Sequence, residues 1–248
     1  MPASAPGADI PGGLRDVRRR VQAAALRAGR PAGSVRLVAV SKTFGPDLVR
    51  AAASAGQADF GENRVQEGLE KIEALRELGL TWHLIGHLQS NKARRAAAAF
   101  AWIHSIDSLD LLRKVDAGAA EAGTSPEVLI QVDLAHEATK HGVEPAAAGD
   151  LVRAALDARA VRLRGLMIVP PFPDEAEDSR PWFRRLRDLR DALVASGAPA
   201  DRLADLSMGM SQDLEVAIEE GATIVRVGTA IFGRRAAGAA HKVEEPGR

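Results

Sequence analysis

Lys42 is the residue in this sequence best suited to covalent chemistry with a carbonyl compound. It closely follows the apolar run Leu37–Val40, which is typical of a strand, so its Cα is expected at that strand's end. An ordinary lysine has a pKa of about 10.4, which leaves roughly one amine in a few thousand uncharged at pH 7. Desolvation or a nearby cation lowers that pKa and makes the amine a nucleophile towards an aldehyde. The alternative is a lysine that merely extends its ammonium group to solvent at a strand end.

A second group of residues is suited to holding a phosphate. Gly228 and Thr229 form a turn between a predicted strand and the final helix, where backbone N–H groups create an anion pocket. The segment Ser207–Ser211 supplies the hydroxyl groups of its two terminal serines to the same pocket. An amine and a phosphate pocket together match pyridoxal 5′-phosphate (PLP), which carries an aldehyde and a phosphate. Because glycine turns and serine caps are common, the alternative is a protein that binds another phosphate ester, with Lys42 as a bystander.

Arg226 lies two residues before this glycine turn, in the last predicted strand. If its side chain points inward, the guanidinium faces the pyridine nitrogen of PLP and, being always protonated, keeps that nitrogen unprotonated. The ring is then a poor electron sink, which argues against transamination and decarboxylation. The alternative orientation places Arg226 against the outer helices.

No pattern of a hydrolase or a metal enzyme accompanies these residues. The sequence has no cysteine, which excludes disulfides, thiolate nucleophiles and cysteine-based metal sites. Among the histidines only His83 and His87 are four residues apart, and the segment Thr81–Gly86 that leads to His87 is predicted as a strand rather than a helix, so no metal site is predicted. The predicted strand ends also lack a close pair of carboxylates and a Ser-His-Asp set. No catalytic residue is therefore predicted.

Eight short apolar runs alternate with helical patterns along the chain, which predicts an α/β fold with a single (β/α)₈ TIM barrel. The functional sites of such barrels lie at the carboxyl ends of the strands, where the residues above fall. The alternative is an open Rossmann-like sheet. The predicted strands are Val35–Val40, Ala58–Gly61, Thr81–Gly86, Trp102–Ile106, Val128–Asp133, Leu163–Val169, Ala204–Met208 and Thr223–Gly228. The predicted helices include Leu14–Gly29, Pro46–Ala55, Asn63–Leu78, Leu109–Ala122, Pro145–Ala158, Ser179–Ser196 and Ser211–Glu220.

The predicted barrel spans residues 14–235. Residues 1–13, rich in Pro, Gly and Ala, are expected to form a disordered tail, and residues 236–248 a C-terminal tail. The segment Pro170–Pro181 predicts a long acidic surface loop or lid after the sixth strand.

The overall composition restricts the class of partner. Lys plus Arg and Asp plus Glu both number 33, so the net charge of zero gives no support for nucleic acid or an anionic membrane as a partner. No apolar run is long enough to span a membrane, and the first residues lack the pattern of a signal peptide, so a cytoplasmic protein is predicted. The low aromatic content of 4% favours a monomer.

Motifs around these residues resemble those of the PLP homeostasis protein family. The resemblance covers nearly the whole chain from Val35 to Gly233, and it implies a fold-type III PLP barrel like the N-terminal domain of alanine racemase, without that enzyme's second domain. The motifs occur in order as VAVSKT (38–43), DFGENRVQE (59–67), WHLIGHLQSNK (82–92), WIHSID (102–107), EATKHG (137–142), LRGLMIVP (163–170), LSMGMSQDLEVAI (206–218) and VRVGTAIFG (225–233).

The resemblance implies roles for seven residues of this chain. Lys42 is the Schiff-base lysine, Arg226 is the partner of the ring nitrogen, and Asn63 lies over the cofactor. The phosphate is bound or flanked by the other four, Ser207, Ser211, Gly228 and Thr229. Lys140 matches a family lysine linked to secondary PLP binding or cofactor release.

The implied function is vitamin B6 homeostasis, in which the protein binds PLP, buffers it and supplies it to apo PLP-dependent enzymes without an established catalytic activity. The alternative is an amino-acid racemase of the same fold type. Two-base racemisation needs an acid/base group on the opposite face of the cofactor, which in alanine racemase is a tyrosine from the other subunit's additional domain. This sequence has no tyrosine. His87 and Lys140 are the conceivable substitutes, but their spacing gives no support for that role.

Overall fold

The computed structural model describes residues 9–135 and 141–233, which contain one closed barrel of parallel strands. The strands are β1 (Arg36–Val40), β2 (Asp59–Glu62), β3 (Thr81–Leu84), β4 (Trp102–Ile106), β5 (Glu127–Gln131), β6 (Arg162–Met167), β7 (Asp205–Ser207) and β8 (Ile224–Val227). The first and last strands pair with each other, with Val38 opposite Arg226. This pairing confirms the predicted (β/α)₈ barrel, because an open sheet would leave both strands at edges.

Helices cover the outside of the barrel. They are α1 (Ile10–Arg27), α2 (Pro46–Ser54), α3 (Val65–Ala74), α4 (Ala93–Ala99), α5 (Leu109–Ala122), α6 (Ala148–Leu156), α7 (Arg180–Ala195), α8 (Leu214–Glu219) and α9 (Thr229–Phe232). The bounds of α5 agree with the prediction because its ends carry strong local signals. The side chain of Ser108 accepts a hydrogen bond from Leu111 N, and Gly123 ends the helix with a φ of 67°.

The first helix begins four residues earlier than predicted. Asp9 caps it by accepting a hydrogen bond from Gly12 N at 2.9 Å, and Pro11 lies in the first turn, where a missing N–H costs nothing. Residues 10–13, predicted as part of a disordered tail, are therefore helical. The Pro-, Gly- and Ala-rich composition is typical of a disordered tail, but proline is favourable in the first turn of a helix.

Two further segments differ from the prediction. The helix α4 was not among those predicted, because its sequence ARRAAAA contains no large apolar residue that would reveal a helical period. The predicted loop Pro170–Pro181 is shorter than expected, since residues 176–179 form a 3₁₀ turn and α7 starts at Arg180. A capping box between Glu175 and Asp178 begins this turn.

Alternate strand residues point into the barrel, where they form a small apolar layer. Val38, Leu129, Met167 and Ile224 pack there around Trp102. The intervening residues point outward and join the larger core beneath the helices, as Ala39, Leu166 and Val225 do. Because Ile224 points inward, Arg226, two residues further along β8, also points inward.

Charged side chains close the amino-terminal end of the barrel. Arg36 lies 2.7 Å from Asp59 and places its guanidinium 5.2 Å from the centre of the Trp102 ring. On the opposite side Arg164 pairs with Asp205 at 3.2 Å. The open end, and therefore the candidate site, is the carboxyl end.

Parts of the predicted organisation lie outside the described residues. These parts are residues 1–8 of the N-terminal tail, the whole C-terminal tail at residues 236–248, and Lys140. Within the described ranges, no helix has both the length and the apolar character needed to cross a membrane.

Candidate functional site at the carboxyl end of the barrel

Lys42 lies in a tight turn immediately after β1. The N–H of Ser41 donates to the carbonyl of Gly61 at 3.0 Å, and the N–H of Phe44 donates back to the carbonyl of Ser41 at 3.0 Å. Between them Thr43 adopts a φ of 68°, an uncommon conformation for a β-branched residue. Such local strain persists only where surrounding contacts hold it. The turn places Lys42, which is half-buried, at the rim of the barrel.

Buried charges outside the barrel hold both neighbours of Lys42. The ammonium of Lys71 donates to the carbonyl of Ser41 at 2.7 Å, to Glu62 at 2.7 Å and to Glu67 at 2.8 Å. Glu62 also accepts a hydrogen bond from the Ser41 hydroxyl at 2.6 Å, and Glu67 accepts one from the N–H of Thr43. Burial raises the pKa of Glu62, and the charge of Lys71 opposes that rise. We call Lys71, Glu62 and Glu67 the lysine clamp.

The predicted phosphate residues form two groups rather than one. Ser211 lies beside the glycine turn, and its hydroxyl accepts a long hydrogen bond from Ala230 N at 3.4 Å. Gly228 and Thr229 lie in the same place, at the start of α9. The structure thus brings Ser211, Gly228 and Thr229 together at the rim.

Ser207 lies inside the barrel, apart from that group. Its hydroxyl accepts a hydrogen bond from Arg226 at 2.6 Å and contacts the ring nitrogen Nδ1 of His104 at 2.9 Å, and the residue is fully buried. The Ser207 hydroxyl thus has two polar partners inside the barrel. The side-chain alternation of β7 directs Ser207 to the barrel interior, and its predicted place beside the phosphate stays a prediction.

Arg226 points into the barrel, as one of the two orientations considered from the sequence requires. Besides Ser207, its guanidinium donates to the carbonyl of Ile168 at 2.8 Å. Burial lowers the pKa of Arg226 to about 10, and the charge of Asp213 opposes this, so the guanidinium remains a cation at neutral pH. Within the described ranges no carboxylate forms an ion pair with it. A buried cation with unused N–H groups fits an external acceptor at the barrel mouth.

Asn63 directly follows β2 and is half-buried at the rim. Its backbone presses against Gly86, where a Cβ would lie 2.3 Å from the carbonyl oxygen of Asn63. This contact fixes the path of the chain after β2 next to the end of β3.

The loop between β7 and α8 is anchored from three sides. Asp213 accepts hydrogen bonds from Met210 N and from the Ser179 hydroxyl, each at 2.7 Å. From α1, Arg20 donates to the carbonyl of Ser211 at 3.1 Å. These contacts hold Ser211 in position beside the glycine turn.

Three residues on the rim form a cluster of the type that binds metals. His87, Asp107 and His141 place one ligand atom each within 4.8 Å of one another. The rings of His87 and His141, however, stack with their centres 3.5 Å apart and 13° between their planes. A ligating imidazole holds its metal in the plane of the ring, and one ion cannot lie in the planes of two stacked, nearly parallel rings. The prediction of no metal site therefore stays a prediction, and His83 lies in the interior, away from His87.

Several residues of this region were not predicted from the sequence. Lys71 and Glu67 lie in a charged stretch of helix, QEGLEKIE, that is typical of a solvent-exposed face. Asp213 has a signal that the sequence does carry, because an aspartate three residues after Met210 is typical of a turn or cap. The interior histidine His104 gave no such signal, because burial of a lone polar residue cannot be deduced from one sequence.

Comparison with known proteins places this geometry in context. The family model described as alanine racemase, N-terminal domain, matches residues 14–236. The chain is similar to the pyridoxal phosphate homeostasis protein of Aquifex aeolicus, with 46% identity over 222 residues that cover 90% of this chain and 96% of that protein. The protein of the same description from Escherichia coli strain K12 is 41% identical over 230 residues, covering 92% and 97%. The solved structure of PipY from Synechococcus elongatus with PLP bound is 42% identical, with a TM-score of 0.79 and coverage of 91% and 100%.

Proposed function

This chain belongs to the family of pyridoxal phosphate homeostasis proteins, and we propose that it binds PLP on Lys42 and serves vitamin B6 homeostasis as a carrier. The observation that carries the proposal is the placement of two cationic side chains at one mouth. Lys42 directly follows β1 and Arg226 lies in the adjacent strand β8, and the glycine turn follows Arg226 at the same end. An amine, a buried guanidinium and an anion pocket in this arrangement match the three polar parts of PLP.

The residues present fit this cofactor. When bound, PLP would supply an electrophilic aldehyde, and Lys42 would supply the amine that holds it. Arg226 would donate to the ring nitrogen and keep it unprotonated. Ser211, Gly228 and Thr229 would hold the phosphate, with Asn63 over the ring. Ser207, predicted to flank the phosphate, would also support Arg226 through their hydrogen bond.

The carrier role, rather than an enzymatic one, is supported by what the chain lacks around the cofactor. The sequence has no tyrosine, the residue type that completes two-base racemisation in alanine racemase. An arginine opposite the ring nitrogen disfavours the carbanion chemistry of transaminases and decarboxylases. We therefore propose a cytoplasmic monomer that exchanges PLP with apo PLP-dependent enzymes.

The covalent site is tested by trapping. Borohydride treatment of the PLP-loaded protein is expected to attach one reduced pyridoxyl group to the peptide that contains Lys42, as measured by mass spectrometry. Lys42→Ala should lose both the adduct and the visible absorbance band, whereas Lys114→Ala, which removes an exposed ammonium paired with Asp110, should keep both. A colourless wild-type protein that takes up no PLP would refute the proposed function.

The carrier role is tested by transfer and by turnover. Loaded protein is expected to activate an apo PLP-dependent enzyme, with free PLP as the reference. Chiral analysis after incubation with L-amino acids is expected to show turnover well below about 1 s⁻¹, the low end of typical enzymes. Faster racemisation would favour the enzyme alternative.

A further inference from the structure

A continuous chain of hydrogen bonds runs through the interior of the barrel, starting at Arg226. The guanidinium donates to the Ser207 hydroxyl at 2.6 Å, which lies 2.9 Å from Nδ1 of His104. Nε2 of His104 lies 3.0 Å from Nδ1 of His83, and Nε2 of His83 lies 3.0 Å from a carboxylate oxygen of Asp59. The chain thus joins the candidate site to the charged layer at the opposite end. We call it the interior relay.

The interior relay is sealed from solvent along most of its length. Ser207, His104 and His83 are fully buried, and Arg226 is 4% exposed. The members come from five strands, β8, β7, β4, β3 and β2, so the relay crosses the barrel rather than following one strand. The Trp102 ring stacks on His83, with ring centres 5.5 Å apart. Buried polar groups in such a chain depend on one another, because each unpaired member would be costly.

The donor capacity of each group allows one direction for the relay when both histidines are neutral. Asp59, a carboxylate, only accepts, so His83 carries its proton on Nε2 and accepts at Nδ1. His104 must then donate from Nε2 and accept at Nδ1. The Arg226 end of the relay gives the same tautomer for His104. Ser207 accepts a hydrogen bond from Arg226 and donates its own proton to Nδ1 of His104, so the His104 proton lies on Nε2. Both ends therefore require the Nε2–H tautomer in both rings.

The surroundings of the two histidines favour the neutral form. Burial lowers the pKa of His104 well below its ordinary value, and the charges of Arg226 and Arg36 lower it further. Burial also lowers the pKa of His83, against the opposing effect of Asp59. Among the described residues, the charged groups that act on the relay are thus Arg226 at the top, with the carboxylate of Asp213 acting on it, and the Arg36–Asp59 ion pair at the bottom.

We propose that the interior relay positions Arg226, with His104 and His83 as positioning residues that hold the guanidinium at the ring nitrogen of the bound cofactor. The identity of the cofactor in this proposal rests on the proposed function. The hydrogen bonds of the relay and their direction do not depend on it. By directing the Ser207 hydroxyl inward, the relay leaves Arg226 as the donor that faces the mouth. A protonated His83 would reverse the direction, turning His104 into a donor towards Ser207.

The direction of the relay is measured directly in the protein without PLP. Imidazole ¹⁵N chemical shifts are expected to identify His83 and His104 as neutral Nε2–H tautomers between pH 6 and 8, assigned with His83→Phe and His104→Phe. An Nδ1–H tautomer or a cationic ring at either position would overturn the proposal. PLP uptake does not enter this measurement.

The effect on the cofactor is measured as the rate of PLP dissociation. His104→Phe removes both ring nitrogens and is expected to raise that rate on the order of tenfold, since it removes support from a charged hydrogen bond. His104→Gln, whose amide both donates and accepts, should retain part of the effect. Met167→Leu, in the same interior layer, should release PLP at the wild-type rate.

The outcomes separate the relay from the cofactor assignment. A wild-type dissociation rate in His104→Phe, or equal rates in the Phe and Gln variants, would overturn the relay while leaving PLP binding intact. If His104→Phe fails to fold, Ser207→Ala cuts the relay next to Arg226 with a smaller change in volume and should give the same increase. Wild-type protein that binds no PLP would refute the proposed function, whatever the tautomers are.

Discussion

Lys42 owes its position to side chains that never touch the barrel interior. The lysine clamp contacts the residue before it through the Ser41 carbonyl and hydroxyl, and the residue after it through the N–H of Thr43. Lys71 is 6% exposed at its side chain and Glu62 is fully buried, so neither charge is satisfied by bulk water. The position of Lys42 therefore depends on an ion pair on the far side of β1.

Replacing Lys71 is expected to test this dependence. Lys71→Met leaves Glu62 buried beside no cation, which should lower the free energy of unfolding by about 3–5 kcal/mol and weaken PLP binding. Urea denaturation and PLP titration measure the two effects. Adding Glu62→Gln to the Met variant should restore part of the stability, because the uncompensated charge is gone. Lys114→Met, at an exposed pair, should cost less than about 1 kcal/mol, and an equal loss in both variants would contradict the clamp.

The residues that could be predicted from sequence are those whose chemistry depends on chain position. Lys42 and Gly228 follow strand-like runs, and strand ends meet at one rim of a barrel. Lys71 could not be predicted, because its neighbours in the sequence indicate a solvent-exposed helix face. Ser207 was placed at the correct strand end, but its partner depends on which face of β7 it occupies. That choice follows from the register of β7 and β8, which one sequence does not reveal.

At the scale of elements, the loop between β7 and α8 requires a glycine. Gly209 has a φ of 91°, and a Cβ there would lie 2.5 Å from the Cβ of Ala217 in α8. The carbonyl of Gly209 also accepts from the N–H of Arg226 at 3.0 Å. The loop that carries Ser211 and the strand that carries Arg226 are thus fixed at the same residue.

Gly209→Ala is expected to disturb both the loop that carries Ser211 and the strand that carries Arg226. The variant should lose about 1–3 kcal/mol of stability from backbone strain and crowding, and its affinity for PLP should fall as well. Thermal unfolding and PLP titration are the measurements. Gly33→Ala is the matched control, since nothing lies within 4 Å of the added methyl group, and it should stay within about 0.5 kcal/mol of the wild type. A Gly209→Ala variant that behaves like this control would contradict the inferred strain.

Elements were predictable where the local signal and the tertiary structure agree. The bounds of α5 and β4 were predicted to the residue, because a serine cap, a terminal glycine and β-branched residues mark them. The short helix α4 could not be predicted, because its alanine and arginine residues show no helical period of large apolar side chains. The start of α1 was misplaced because one aspartate side chain outweighs the Pro-Gly-Gly composition.

At the scale of the whole molecule, the buried histidines make folding depend on pH. Their pKa values are lowered in the folded protein, whereas in the unfolded chain a histidine titrates at about 6.5. Below that pH the unfolded state binds more protons than the folded state, so stability falls as pH decreases.

Chemical denaturation between pH 7 and 5 measures this effect. The free energy of unfolding is expected to fall, with a slope that approaches about 1.4 kcal/mol per pH unit for each neutral histidine. The loss should begin near pH 6.5 and continue to the folded-state pKa values. His104→Phe should show a shallower slope than the wild type, and a stability independent of pH in this window would show that the rings are not held neutral.

A layer of charged side chains covers the amino-terminal end of the barrel and leaves access to its interior only from the carboxyl end. The layer consists of Arg36, Asp59, Arg164 and Asp205. A molecule seated at the rim arrives and departs through one opening, since the packed interior offers no rear exit. In the proposed carrier role, uptake and release of the cofactor would therefore use the same face of the barrel. A recipient protein docked there would prevent reloading until it dissociates.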